Sequence, residues 1–594
     1  MDVVTDGSMP DRAAPAHGAS QTERPAWPGL SLEAVLYAAL FVGAAFIRFF
    51  DLGRWPLMPE EARQALAAWR FLQGQPVGTT VPPLLFDGAL AGFFAFGASD
   101  AVARLLPALL GTAVVLTPLA LRRQLGHWGA LAATFLLAFS PTMVYYSRTL
   151  AGLAPALAGV GALLWALDLA GRRQVVWAKV TGGAGLALCL TSSPWGYTFI
   201  LAALLFAAAA RLTQRRGRPW LGWATTVEAL RPVLGDGRAW AALVAVALPM
   251  STAFFLNAGG LQGAADLLGT WLGRLVPGSG GRAWAYPLGI LAYYEVAALV
   301  LGAVGAGIAL RRQALFGRFL VAWAAVAIVL ASLSGARDGE AAAMAVMPLA
   351  LLGGVAVGTW VARLKKAQWA WVGVGLAVFV SLLAFWWLNL TTYSVDYADM
   401  LQRDRLLVGI LVAAGPLLLA GAIALFRSWV GRAETAWAAG LLGLALAAAL
   451  TLRSSVALNF AYARDPREPL VVAPSAVDLR DMVAFLESWS SRTALDQHAL
   501  TIGVQRDLEP LVPWYLRDFR VGLVSAPGNE QGYDAYVLPA GDGTPPPAGY
   551  KSTRFVLQTS SDTPLGSARD GLAWWLVGTQ GGPVQRKVVE LWVK

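Results

Sequence analysis

The chain has 594 residues, 57% of them hydrophobic and only 14% charged, with a mean hydropathy of +0.55. Soluble domains carry about 25% charge, so a large soluble enzyme is excluded. The apolar residues arrive instead in separated blocks of membrane-spanning length. The net charge of +10 does not mark a nucleic-acid binder, because the basic residues sit in short loops between apolar blocks, where they set orientation in a bilayer.

Residues 1–29, rich in Ala, Pro, Gly and polar residues, read as a disordered cytoplasmic tail. The apolar block at 30–50 follows without a cleavage site and is expected to be a retained signal-anchor helix. Further blocks fall at 101–121, 128–146, 152–170, 175–192, 195–210, 239–257, 288–310, 317–334, 341–362, 368–390, 405–426 and 435–453, giving thirteen expected spans. Pro83 to Ala98 begins with a proline pair and contains Asp87, so it is expected to be an interfacial or re-entrant piece. With the N-terminus inside, every cytoplasmic loop is basic (Arg122/Arg123, Arg172/Arg173/Lys179, Arg211/Arg215/Arg216/Arg218, Arg311/Arg312/Arg318, Arg363/Lys365/Lys366, Arg427/Arg432). The opposite loops hold most of the acids, and an odd number of crossings leaves residues 456–594 outside. Segment 211–238 reads as a cytoplasmic surface helix.

After Asn459 the composition becomes mixed. Ser475 to Ser488 has helical spacing, while Leu500–Val504, Tyr536–Leu538, Phe555–Leu557 and Val588–Val593 read as strands between Pro/Gly-rich turns. The expected fold class is therefore a polytopic α-helical membrane domain, residues 30–455 with a first outside loop at 51–100, followed by a small α/β domain. That domain carries no phosphate loop, nucleophile elbow or metal spacing, and reads either as a lid or as a plain structural unit.

Candidate chemistry concentrates in the outside loops. Pro59-Glu60-Glu61 suits a helix start, where acids meet the positive end of the dipole. It also suits a general base at the membrane–water interface. Arg63, Arg104, Arg148, Arg274 and Arg282 are expected at the same level, as interfacial anchors or as a bidentate clamp on a lipid phosphate. Glu295, inside a span, is costly there and is a functional candidate for that reason. Single Cys189 and the scattered His17, His127 and His498 give no His/Cys metal centre; no cofactor is implied beyond a divalent cation at the acids.

Taken together, Arg48-Phe-Phe-Asp51-Leu-Gly-Arg-Trp-Pro, Pro59-Glu60-Glu61-Ala, Ala103-Arg104-Leu-Leu-Pro-Ala-Leu-Leu-Gly111 and Ser140-Pro141-Thr-Met-Val-Tyr-Tyr-Ser-Arg148 resemble the GT-C superfamily of polyprenyl-phosphate-sugar-dependent glycosyltransferases, which includes the protein O-mannosyltransferases and the aminoarabinose transferases. Arg282 to Glu295 and Pro513-Trp514-Tyr515-Leu516-Arg517-Asp518-Phe519 are similar to segments of its prokaryotic flippase-activity-associated branch. The resemblance implies an enzyme of the prokaryotic plasma membrane serving cell-envelope glycosylation. It would move a hexose or pentose with inversion from a polyprenyl-phosphate-linked donor to a glycan, lipid or protein acceptor outside. It further implies Glu60 as base, Glu61 as its partner, and Arg63, Arg104, Arg148, Arg282 and Glu295 near the donor. Two departures stand out: Glu60 occupies the position of the family's aspartate, and Thr149-Leu-Ala-Gly-Leu-Ala-Pro-Ala lacks the acid that follows Ser-Arg in the family. They keep open a non-catalytic relative that binds a lipid-linked glycan or scaffolds a flippase or polymerase. A secondary transporter fits less well, because the spans lack paired charges and repeats.

Overall fold

The computed structural model describes residues 31–78, 82–172, 174–215, 235, 237–276, 283–312, 314–364, 366–394, 402–525, 532–541, 549–561, 568–577 and 583–594. The expected N-terminal tail, most of the expected surface helix at 211–238 and Arg282 lie outside the described residues.

All thirteen apolar blocks are helical. Among the described residues nine helices are long and apolar enough to cross a membrane, or eleven when two bent pairs each count as one span. The blocks at 101–121 and 239–257 form shorter apolar helices, Leu105–Ala120 and Gly237–Ser251. Pro83–Phe96 is a separate short helix of 14 residues, less than the ~20 needed to cross. Small residues let neighbouring helices approach backbone to backbone: a Cβ on Gly129 would lie 2.5 Å from the Gly354 carbonyl oxygen, and the converse holds for Gly354.

The two bends were not expected from hydropathy. His127–Phe139 and Pro141–Ser147 meet at 54°, because Ser140 precedes a proline and adopts an extended backbone. Tyr286–Tyr294 and Val296–Arg312 meet at 103° around Glu295. Below, Pro59–Leu72 is called the loop helix and Pro141–Ser147 the pocket helix.

The C-terminal unit is a five-stranded sheet in the order β2-β1-β3-β5-β4, with β1 Thr501–Gln505, β2 Arg520–Val524, β3 Ala535–Pro539, β4 Lys551–Ser560 and β5 Gln585–Val593. β1 runs parallel to β2 and β3, while β5 pairs antiparallel with β3 and β4. Helix Asp478–Ala494 buries Leu479, Met482 and Leu486 on a face spaced at three and four residues. That face does not close a core of its own. Leu479, Met482, Leu486, Ile502 and Trp514 join Leu57, Ala62, Leu66, Phe86 and Phe93 of the first loop in one apolar cluster. The first loop is therefore fixed from two sides, by the helical bundle and by the sheet domain.

Candidate functional site

The loop helix starts at Pro59, whose missing N–H costs nothing at a first helical position. Met58 is the N-cap, and Glu61, three residues on, turns its carboxylate back to accept the Met58 N–H at 2.8 Å. The same buried carboxylate accepts from the Leu150 N–H at 2.7 Å, and from Nε and Nη2 of Arg104 at 2.8 and 2.6 Å. The remaining donors of Arg104 go to the carbonyls of Leu52, Trp55 and Pro56. Every acceptor site of Glu61 and every donor of Arg104 is thus engaged. Burial pushes the Glu61 carboxyl up, but the charge and hydrogen bonds of Arg104, with the two amides, outweigh it and hold the carboxyl below its usual range.

Beside this hub the pocket helix delivers Tyr145 and Arg148. Ser140 caps its start, accepting from the Met143 N–H at 3.2 Å. Arg148, just past its end, reaches the C-terminus of helix Leu32–Phe49 and donates to the carbonyls of Ile47 and Phe50 at 2.9 and 2.7 Å, a cation on the negative end of a helix dipole. Its guanidinium lies over the Phe460 ring, 4.6 Å from the centroid. Phe460 and Asn459 come from a π-helical turn, Ala457–Ala461, that ends the last long helix. Arg464 follows, near Trp55 and donating to the Pro56 carbonyl; its Nε is buried without a partner.

These groups surround a small, partly open pocket with a cavity volume of about 40 Å³, lined by Leu52, Trp55, Met58, Arg104, Tyr145, Arg148, Thr149, Leu458, Asn459, Ala463 and Arg464. Three guanidiniums, those of Arg104, Arg148 and Arg464, line the pocket; Glu61, the acid beside Arg104 and Arg464, is already fully bonded, and Asp51 is the acid beside Arg148. Burial, and then repulsion from Arg104, push Arg148 and Arg464 down to about 10. Both stay cationic at neutral pH. Arg148 donates to neutral carbonyls and Arg464 keeps an Nε with no partner among the described residues, so an anion with several acceptor oxygens, such as a phosphate, would complement their charge.

The other candidates lie elsewhere. Glu60 points to solvent, with 74% of its side chain exposed, and pairs with Arg63 at 2.8 Å. Arg63 lines a separate groove with Arg70 and Arg506, where Arg70 is neutralised by Glu509 at 2.9 Å. Glu60 and Arg63 are therefore not brought together with Arg104 and Arg148: on one helix turn, the buried face takes Glu61 and leaves its neighbours outside. Glu295 does not line the pocket. It accepts from Ser140 Oγ at 2.5 Å and from the N–H and Oγ1 of Thr142 at 3.0 and 2.7 Å, at the start of the pocket helix. Arg464 was not singled out from the sequence. Its signal was an arginine just after the last span, on a side otherwise poor in Lys/Arg by the expected topology. Among the described residues no group of three or more His, Cys, Asp or Glu could hold a metal ion.

A second polar cluster fastens the sheet domain over the loop. Asp100 accepts from Trp514 Nε1 and from the Tyr515 hydroxyl, both at 2.9 Å, and pairs with Arg480 at 2.6 Å. Tyr515 in turn accepts the Leu57 N–H at 2.6 Å, one residue before the N-cap that Glu61 holds. Trp514 is fully buried and stacks on Phe93. The Pro513–Phe519 segment thus works as a clamp.

No protein-family model matches the chain, and no curated protein sequence matches it. Solved structures do. ArnT from Cupriavidus metallidurans bound to undecaprenyl phosphate aligns with a TM-score of 0.52 at 18% identity, over 83% of this chain and 87% of that one. The same protein in the apo state gives 0.50 at 18% identity, over 83% and 86%. At this identity the likeness is one of fold: the chain has an ArnT-like arrangement of apolar helices, several long enough to cross a membrane, and a small C-terminal sheet domain.

Proposed function

We propose that this chain is a GT-C-type glycosyltransferase that moves a sugar from a polyprenyl-phosphate-linked donor to an acceptor at the outer face of the membrane, with the lipid phosphate held in the arginine pocket. The observation that carries this reading is the excess of guanidinium over carboxylate in a buried pocket, with the Arg464 Nε unpartnered. ArnT, of like fold, was crystallised with undecaprenyl phosphate. The loop acids and basic opposite loops support an N-inside orientation. The Tyr293-Tyr294-Glu295 and Pro513–Phe519 segments support a place near the flippase-activity-associated branch.

In the reaction, an acceptor hydroxyl or amine attacks the anomeric carbon from the face opposite the phosphate. The anomeric C–O bond breaks, and the electron pair leaves on the lipid phosphate. Arg148 and Arg464 stabilise the charge that develops there. The acceptor proton needs a base. Glu61 has no free lone pair, so of the Glu60–Glu61 pair Glu60 is the carboxylate with acceptor capacity, and serving as base requires it to leave Arg63.

That same geometry favours a second reading, a non-catalytic protein that binds a lipid phosphate for a glycan-assembly partner. Undecaprenyl-phosphate-linked hexoses and pentoses, carrying radiolabelled sugar and supplied to the protein in vesicles with membrane acceptors, separate the two. Transfer by the wild type, slowed on the order of 100-fold or more by Glu60→Gln with donor binding unchanged, establishes the transferase with Glu60 as base. Full activity of Glu60→Gln removes that base, and donor binding without turnover across the panel establishes the second reading.

A further inference from the structure

Breaking a membrane helix exposes the carbonyls of the first half and the amides of the second, and in a bilayer these groups must find partners inside the protein. The break at Ser140 is met from both sides by a buried ionisable side chain. Arg48 donates to the Leu137 and Ala138 carbonyls at 3.0 and 2.8 Å, a cation on the C-terminal end of His127–Phe139. Glu295 accepts the Thr142 N–H and the hydroxyls of Ser140 and Thr142, a carboxyl group at the N-terminal end of the pocket helix. Glu295 is also the residue at which the other bent pair turns by 103°. One carboxyl group therefore joins two helix breaks.

What hangs from that joint is short. The pocket helix has seven residues, about 10 Å at 1.5 Å per residue. Its far end carries Tyr145 into the pocket and leads into Arg148 and Thr149. Asn459, on the π-helical turn that also presents Phe460, donates to the Pro141 carbonyl at 3.2 Å, so the ring beneath Arg148 is referenced to the same point. A helix this short is not stable alone and takes its direction from its ends.

We propose that Glu295 is a positioning residue for the anion-binding pocket, locking the pocket helix so that Arg148 and the Phe460 ring are held in register. The part concerning the ligand rests on the lipid-phosphate reading above; the mechanical part does not.

The test uses the full chain in nanodiscs and has two arms. In a Cys189→Ser background, Thr149→Cys reports whether the end of the pocket helix is fixed. Adding Glu295→Gln is expected to raise its reaction rate with a water-soluble maleimide roughly tenfold, through local opening. In the second arm, undecaprenyl phosphate is titrated. Glu295→Gln is expected to weaken binding about three- to tenfold when Arg148 is present, and to have no further effect beside Arg148→Gln, since residues acting as one unit are not additive. Thr142→Val removes one of the hydrogen bonds and gives smaller shifts of the same sign if Glu295→Gln fails to fold. An unchanged maleimide rate, or a binding loss that adds fully to that of Arg148→Gln, overturns the proposal. If Arg148→Gln itself leaves binding intact, the lipid-phosphate reading fails, and the labelling arm alone decides the role of Glu295.

Discussion

The first loop takes part in two buried polar clusters, the clamp around Asp100 and the pocket around Arg148, and they differ in how completely they are satisfied. In the clamp, one carboxylate meets an indole, a phenol and a guanidinium, and its charge is balanced. The Glu61–Arg104 hub is equally complete. In the pocket, Arg148 leans on carbonyls and a ring, and Arg464 keeps a buried Nε without a partner. A buried charge left unpaired costs several kcal/mol, about what a paired one loses when its partner is removed. Two networks are saturated and the third is left open, which supports the proposal that the third takes a ligand.

The comparison breaks or sharpens under substitution. The largest effect is expected from Glu61→Gln, which strands Arg104: about 3–5 kcal/mol of stability lost, read by thermal or denaturant unfolding. The Glu61 carboxyl is held below its unfolded value of about 4.3. Its stabilisation is therefore full above that value and disappears as pH falls through the lower, folded one. Next come Arg148→Gln and Arg464→Gln. Each is expected to cost about 1.5–3 kcal/mol in affinity for undecaprenyl phosphate while leaving the unliganded protein as stable as before or more so. Both guanidiniums are cationic below about 10, so affinity is full at neutral pH and falls as pH rises through that value. A loss of stability without a loss of affinity would make the pocket another structural network. The smallest effect is expected from Asp100→Asn, about 1–3 kcal/mol, with the sheet domain becoming easier to release by limited proteolysis.

Hydropathy located the thirteen apolar blocks because a bilayer demands continuous apolar runs, but not the helix Gly259–Leu275 between two of them; the short Pro83–Phe96 helix was legible from its proline pair and its length. The bends were not. Pro141 marked the first, but Glu295 reads in sequence as an isolated intramembrane acid, and its partners Ser140 and Thr142 lie more than 150 residues away. Strand β2 was missed: it is a sheet edge with mostly half-buried residues and a central glycine, so it carries little alternation. Glu60 and Glu61 were named together. The helix start fixed which of them turns back to its own cap, the glutamate at the third helical position, and that left the other facing water. Arg464 lay in the linker between the two regions, where neither periodicity nor motif pointed.

The central claim is that Arg148 and Arg464 hold a lipid phosphate. An experimental structure of the protein in nanodiscs with undecaprenyl phosphate tests it most directly. The account predicts phosphate oxygens within about 3 Å of Arg148 and Arg464, with the Glu61–Arg104 pair unchanged. A head group seated against Arg63, Arg70 and Arg506 instead, or an empty arginine pocket at saturating lipid, would contradict it.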